Sequence, residues 1–79
     1  MNEEKILEKV NDVFREIFDD ETLEVSNETT ANDVDGWDSL MHISLISAIE
    51  DVFNVNFSVT EVVNMKNVGD MIKLIKEKL

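Results

Sequence analysis

Apolar residues in this chain recur at intervals of three and four, segment after segment, and no alternating run is long enough to build a sheet. That period is the signature of amphipathic helices. Ile6, Leu7, Val10, Val13, Phe14, Ile17 and Phe18 mark a first helix from Glu3 to Phe18, with Asn2 as its cap and Glu3 and Glu4 suited to the positive end of the dipole. Leu45, Ile46, Ile49, Val52 and Phe53 mark a second helix from Ser39 to about Phe53, which Asn54 terminates. Val55-Asn56-Phe57 then reads as extended or turn-like. Ser58-Val59-Thr60-Glu61 is a capping box that opens a short third helix, with Val59, Val62, Val63 and Met65 as its apolar contacts. Its β-branched residues are poor helix formers, so it should be the least stable and most mobile element. Asn67 caps a fourth helix beginning near Val68, with Asp70 in its first turn; Met71, Ile72, Ile75 and Leu79 point inward, and Lys73, Lys76 and Lys78 suit its negative end. The expected fold is an all-α four-helix bundle with three longer helices and one short one, a single domain over residues 1–79.

Between the first two helices lies a long acidic loop, Asp19 to Asp38, whose only sizeable apolar residues are Leu23, Val25, Val34 and Trp37. A loop of that length in a compact domain is either functional or pinned down. Those four residues are the candidate pins, and Ser26-Asn27-Glu28-Thr29-Thr30 reads as a turn with local side-chain hydrogen bonds.

The 79 residues carry 18 acidic and 7 basic side chains, a net charge of −11. Nucleic acid and anionic membranes are poor partners for such a surface, because phosphate contacts need Lys and Arg. Partners with basic patches would be steered in. The acidity is uneven: residues 1–38 hold 13 acidic and 3 basic positions, and residues 39–79 hold 5 and 4. There is no Cys, hence no disulfide and no thiolate metal site. No apolar run is long enough to span a membrane and the first residues lack a signal-peptide pattern, so a cytoplasmic location is expected. The start at Met1 and the helical end at Leu79 favour an independent protein.

Gly36-Trp37-Asp38-Ser39-Leu40 is the stretch with chemical content. Gly36 permits a sharp turn, Asp38 is placed to cap the second helix, and Ser39 becomes its first residue with an accessible hydroxyl. A phosphodiester formed there would lie at the positive end of the helix dipole. As a hydrolytic nucleophile Ser39 would need a base and an orienting group. His42, the only histidine, lies one turn away, but no oxyanion hole or Gly-x-Ser-x-Gly elbow accompanies it. The Gly-Asp-Ser-Leu signature of some lipases is interrupted by Trp37. Asp33 to Asp38 superficially suggests a calcium loop, yet the glycine is misplaced and no closing glutamate follows. His42 reads as a surface or partner-contacting residue.

Asp38-Ser39-Leu40 at the head of an apolar helix resembles the prosthetic-group attachment site of acyl carrier proteins and related peptidyl carrier domains. Length, acidity, four helical segments and a Ser opening the second helix extend the resemblance over nearly the whole chain. It implies a non-enzymatic carrier of acyl or aminoacyl thioesters on 4'-phosphopantetheine, attached to Ser39 by a phosphopantetheinyl transferase that takes it from coenzyme A. It also implies acyl-loading and acyl-processing partner enzymes with basic patches. Asp38 and Leu40 flank the attachment residue, and Met41, His42, Ser44, Glu50 and Asp51 are the candidate partner contacts. A monomer is expected. An acyl chain is expected to fold back between the second and third helices against Leu45, Ile49, Val62 and Val63. Fatty-acid carriers usually have acidic residues where this chain has Met41 and Ser44, so Met41 reads as an exposed apolar contact. Gly36-Trp37 is similar to specialised stand-alone carriers or to carrier domains of polyketide and peptide synthesis. The rival is a small acidic helical adaptor that binds a protein without being modified. A weaker third reading is a calcium-binding module.

Overall fold

The computed structural model describes residues 2–79. Four α-helices follow one another: α1 Glu3–Ile17, α2 Ser39–Phe53, α3 Val59–Val63 and α4 Val68–Lys78. A single 3-10 turn, Ala31–Asp33, interrupts the loop after α1. No strand forms among the described residues. The expected all-α bundle, three longer helices and one of five residues, is the one observed.

Each helix begins on the cap its sequence announced. Asn2 accepts from Lys5 N–H, Asp38 from Met41 N–H, Ser58 from Glu61 N–H and Asn67 from Asp70 N–H. These side chains satisfy donors that a helix start leaves without partners. The α1 and α2 ends share a second device. Asp19 and Asn54 take up left-handed backbone at φ 50° and 54°. The following N–H then reaches back, Asp20 to Arg15 O at 3.0 Å and Val55 to Glu50 O at 3.1 Å. Both are Schellman closures, with Asp and Asn in the role glycine most often fills.

α1 packs against both α2 and α4. Ile6, Val10, Phe14, Leu45, Ile49, Val68, Met71 and Ile75 are fully buried between them. The apolar stripes overreached at their edges. Val52 and Leu79, expected inside, are exposed. Val52 lies on the flank of the α2 stripe, and Leu79 follows the last turn of α4, where no other element covers it. In α3, Val59 and Val63 are also exposed, while Val62 and Met65 pack partly against the core.

The long loop is pinned by more than its apolar residues. Val25 and Val34 are buried, and Leu23 and Trp37 pack partly against the core. Asn11, the one buried polar side chain among the described residues, accepts from Val25 N–H at 2.7 Å and donates to Val25 O at 3.3 Å. Arg15 Nε donates to Leu23 O at 2.7 Å. Further on, Val68 and Gly69 N–H donate to Thr29 O and Asn27 O at 2.9 and 2.8 Å. The first N–H groups of α4 are therefore satisfied by the loop, and this is how its midpoint is held.

Candidate functional site

The last turn of the loop aims Ser39. Gly36 has φ +86°, a conformation that side chains resist, and Trp37 N–H donates to Val34 O across it at 3.2 Å. The chain then enters α2 through Asp38 in extended conformation, its Oδ1 accepting from Met41 N–H at 2.8 Å. Ser39 is the first residue of the helix and is exposed, as are Asp38 and Leu40. Asp33 is occupied with a different cap: its carboxylate accepts from Thr30 N–H at 2.9 Å and from the Thr30 hydroxyl at 3.2 Å. No group of His, Asp and Glu side chains among the described residues is arranged to hold a metal ion.

Trp37 connects this corner to the core. Its ring meets Phe14 edge-on, centroids 5.2 Å apart, and stacks on His42 at 5.9 Å. Its Nε1–H donates to His42 Nδ1 at 3.1 Å, and His42 Nε2 lies 3.4 Å from Val62 O. An indole nitrogen can only donate. His42 Nδ1 is therefore the acceptor, and the ring proton sits on Nε2, directed at Val62 O. Both imidazole nitrogens are thus committed, and no base is turned toward Ser39. The surface residue that spacing suggested is instead a half-buried link between the loop and α3, because Trp37 supplies a donor that no helical-wheel reading includes.

Beside Ser39 runs a groove of about 530 Å3, lined chiefly by Trp37, His42, Ile43, Val62, Val63 and Met65. Of the four residues expected against an acyl chain, Val62 and Val63 line this groove. Leu45 and Ile49 do not, because they are fully buried behind it in the α1–α2 interface. Ile43 was missed, although it follows Ser39 by one helical turn and its side chain is 65% exposed.

The other candidate contacts separate by environment. Leu40 is 73% exposed, and Ser44 and Asp51 are exposed. Met41, expected to be exposed, is half-buried. Glu50 is half-buried as well, and its Oε2 accepts from Phe57 N–H at 2.9 Å, fastening the segment that leads into α3. In the first turn of α3, Glu61 accepts from Ser58 N–H and pairs with Lys78 at 3.1 Å. The Ser58 backbone donor and then Lys78 hold the Glu61 carboxyl below its usual range.

Residues 5–75 match the family model described as a phosphopantetheine attachment site. The chain is 40% identical over 73 residues to the acyl carrier proteins of Streptococcus pyogenes serotypes M3 and M1, covering 92% of its own length and 95% of theirs. Among solved structures it resembles the solution NMR structure of a holo acyl carrier protein from Geobacter metallireducens. The TM-score is 0.85 and the identity 40%, over 91% of this chain and 83% of that one.

Proposed function

The chain belongs to the phosphopantetheine-attachment family of the acyl carrier proteins, and from that premise we propose that Ser39 is the residue that carries the prosthetic group. Members of the family are carriers and not catalysts; the covalent 4'-phosphopantetheine supplies the terminal thiol on which acyl groups ride as thioesters. One observation carries the assignment: Ser39 is exposed at the first position of α2, behind an Asp38 cap and at the mouth of the groove. The residues fit a phosphodiester. The first turn of α2 contains no acidic side chain, and the helix start favours negative charge. Asp38 opposes it by like charge, but its carboxylate is engaged with Met41 N–H.

The cargo is an acyl or aminoacyl thioester in a specialised fatty-acid, polyketide or peptide-type pathway. What supports this finer reading is the uncharged start of α2, where Leu40, Met41, Ile43 and Ser44 surround the attachment corner. Partner enzymes, the phosphopantetheinyl transferase among them, meet Leu40, Met41, Ser44 and Asp51, and basic patches on them answer the acidic surface. His42 and Glu50 contribute mainly by positioning α3. The protein works as a monomer.

Intact mass after incubation with coenzyme A, magnesium and a broad-specificity phosphopantetheinyl transferase tests the assignment. The wild type should gain one phosphopantetheine and Ser39→Ala none, with unchanged circular dichroism. A folded Ser39→Ala protein that still gains the mass would move the site elsewhere.

A further inference from the structure

We propose that His42 determines which cargo the groove accepts: by tying Val62 of α3 to Trp37, it keeps the α2–α3 seam shut and confines the site to short acyl groups. This rests on the reading of Ser39 as the attachment residue.

A continuous chain of contacts supports it. Phe14 in the core holds the Trp37 ring, Trp37 Nε1–H donates to His42 Nδ1, and His42 Nε2–H is directed at Val62 O. The last contact, at 3.4 Å, joins α2 to the backbone of α3 directly across the groove. At that length it is a weak hydrogen bond, strong enough to bias α3 and weak enough to open.

α3 has little else to hold it in place. It has five residues and two of its valines are exposed; besides the partial packing of Val62 and Met65, it is held by the Glu50–Phe57 hydrogen bond just ahead of it and the Glu61–Lys78 pair in its first turn. Beneath the groove, Leu45 and Ile49 are fully buried and form no part of its wall. Cargo too long for the groove would pass inward between α2 and α3, where His42 and Val62 meet. With the latch closed, a long chain stays in solvent; with the latch removed, α3 can swing out and admit it.

The test has two readouts. In the unmodified protein, His42→Ala should speed hydrogen exchange of the α3 amides about twofold, the shift in opening that loss of one weak hydrogen bond produces. His42→Gln should restore the wild-type rate, since its amide accepts from Trp37 and donates to Val62.

In proteins confirmed by mass to carry one phosphopantetheine, butanoyl and dodecanoyl thioesters are then exposed to hydroxylamine. His42→Ala should slow cleavage of the dodecanoyl form about twofold and affect the butanoyl form less, again with rescue by Gln. Equal dodecanoyl cleavage in wild type and variant would overturn the proposal. So would slowing of both lengths alike, which marks a general structural effect. Should His42→Ala fail to fold, Trp37→Phe keeps a six-membered ring beside Phe14, removes the Nε1–H donor together with the pyrrole ring, and carries the same expectations and the same refutation. Absence of loading on Ser39 would defeat the attachment reading, and the exchange measurement would then decide whether the latch exists.

Discussion

Asn11→Ala is the substitution that most directly probes how the long loop is held. Asn11 is 8% exposed, and its side chain exchanges hydrogen bonds with both backbone groups of Val25, itself 3% exposed. Its Nδ2 also donates to Leu7 O at 3.1 Å, but that carbonyl lies within a helix and loses little. Truncation leaves the Val25 N–H and C=O buried without partners, at about 1–3 kcal/mol for each group so stranded. The shorter distance, 2.7 Å, places the N–H nearer the upper end. Helix propensity offsets about 0.5 kcal/mol in favour of Ala. The C=O, bonded at the longer 3.3 Å, stands near the lower end, so about 2.5 and about 1 kcal/mol less that offset leave a net expected loss of about 3 kcal/mol. A domain of this size has roughly 4–12 kcal/mol in total, so the effect is large. With a urea slope near 1 kcal/mol/M, the midpoint should fall by about 3 M at unchanged slope. Asn11→Asp keeps the acceptor for Val25 N–H and loses the donor, so it should fall between wild type and Ala. Asn56→Ala, at an exposed position, is the control. A loss below about 0.5 kcal/mol for Asn11→Ala would refute the reasoning, because an ordinary surface substitution does as much.

Two further outcomes follow from the loop and from α3. In Gly69→Ala the new Cβ would stand 2.9 Å from Asn27 O, so loop and helix must separate, and overpacking of about 1–3 kcal/mol should exceed the gain of up to about 1 kcal/mol in helix propensity. A melting temperature above wild type would show that the loop yields freely there. The lowered Glu61 pKa makes α3 sensitive to acid: its stabilising contribution is present above the ordinary value of 4.5 and is lost as pH falls through the lower folded value. Opening of the α3 amides, read from exchange after correction for its intrinsic pH dependence, should therefore rise on acidification in the wild type, and Glu61→Gln should lack that component; identical corrected profiles in the two proteins would contradict it.

Caps and stripes were legible in the sequence because they depend on neighbours within a turn or two. Asn2, Asp38, Ser58 and Asn67 each satisfy a donor three residues away, and Asp38 thereby sets Ser39 at the head of α2. The loop anchors Val25 and Val34 stood out as apolar residues in an acidic stretch. Asn11 did not, because a single polar residue near the border of a helical stripe looks the same whether it faces water or a loop 14 residues away.

The sequence by itself determined the helical class, the helix starts, and the accessible serine at the head of the second helix, since local hydrogen bonding and helical period suffice for these. Only the tertiary structure decided that Leu45 and Ile49 lie behind the groove, that Asn11 holds the loop, and that His42 joins Trp37 to Val62. Each of those depends on which surfaces meet once the helices pack, and the His42–Val62 contact spans 20 residues that no local period connects.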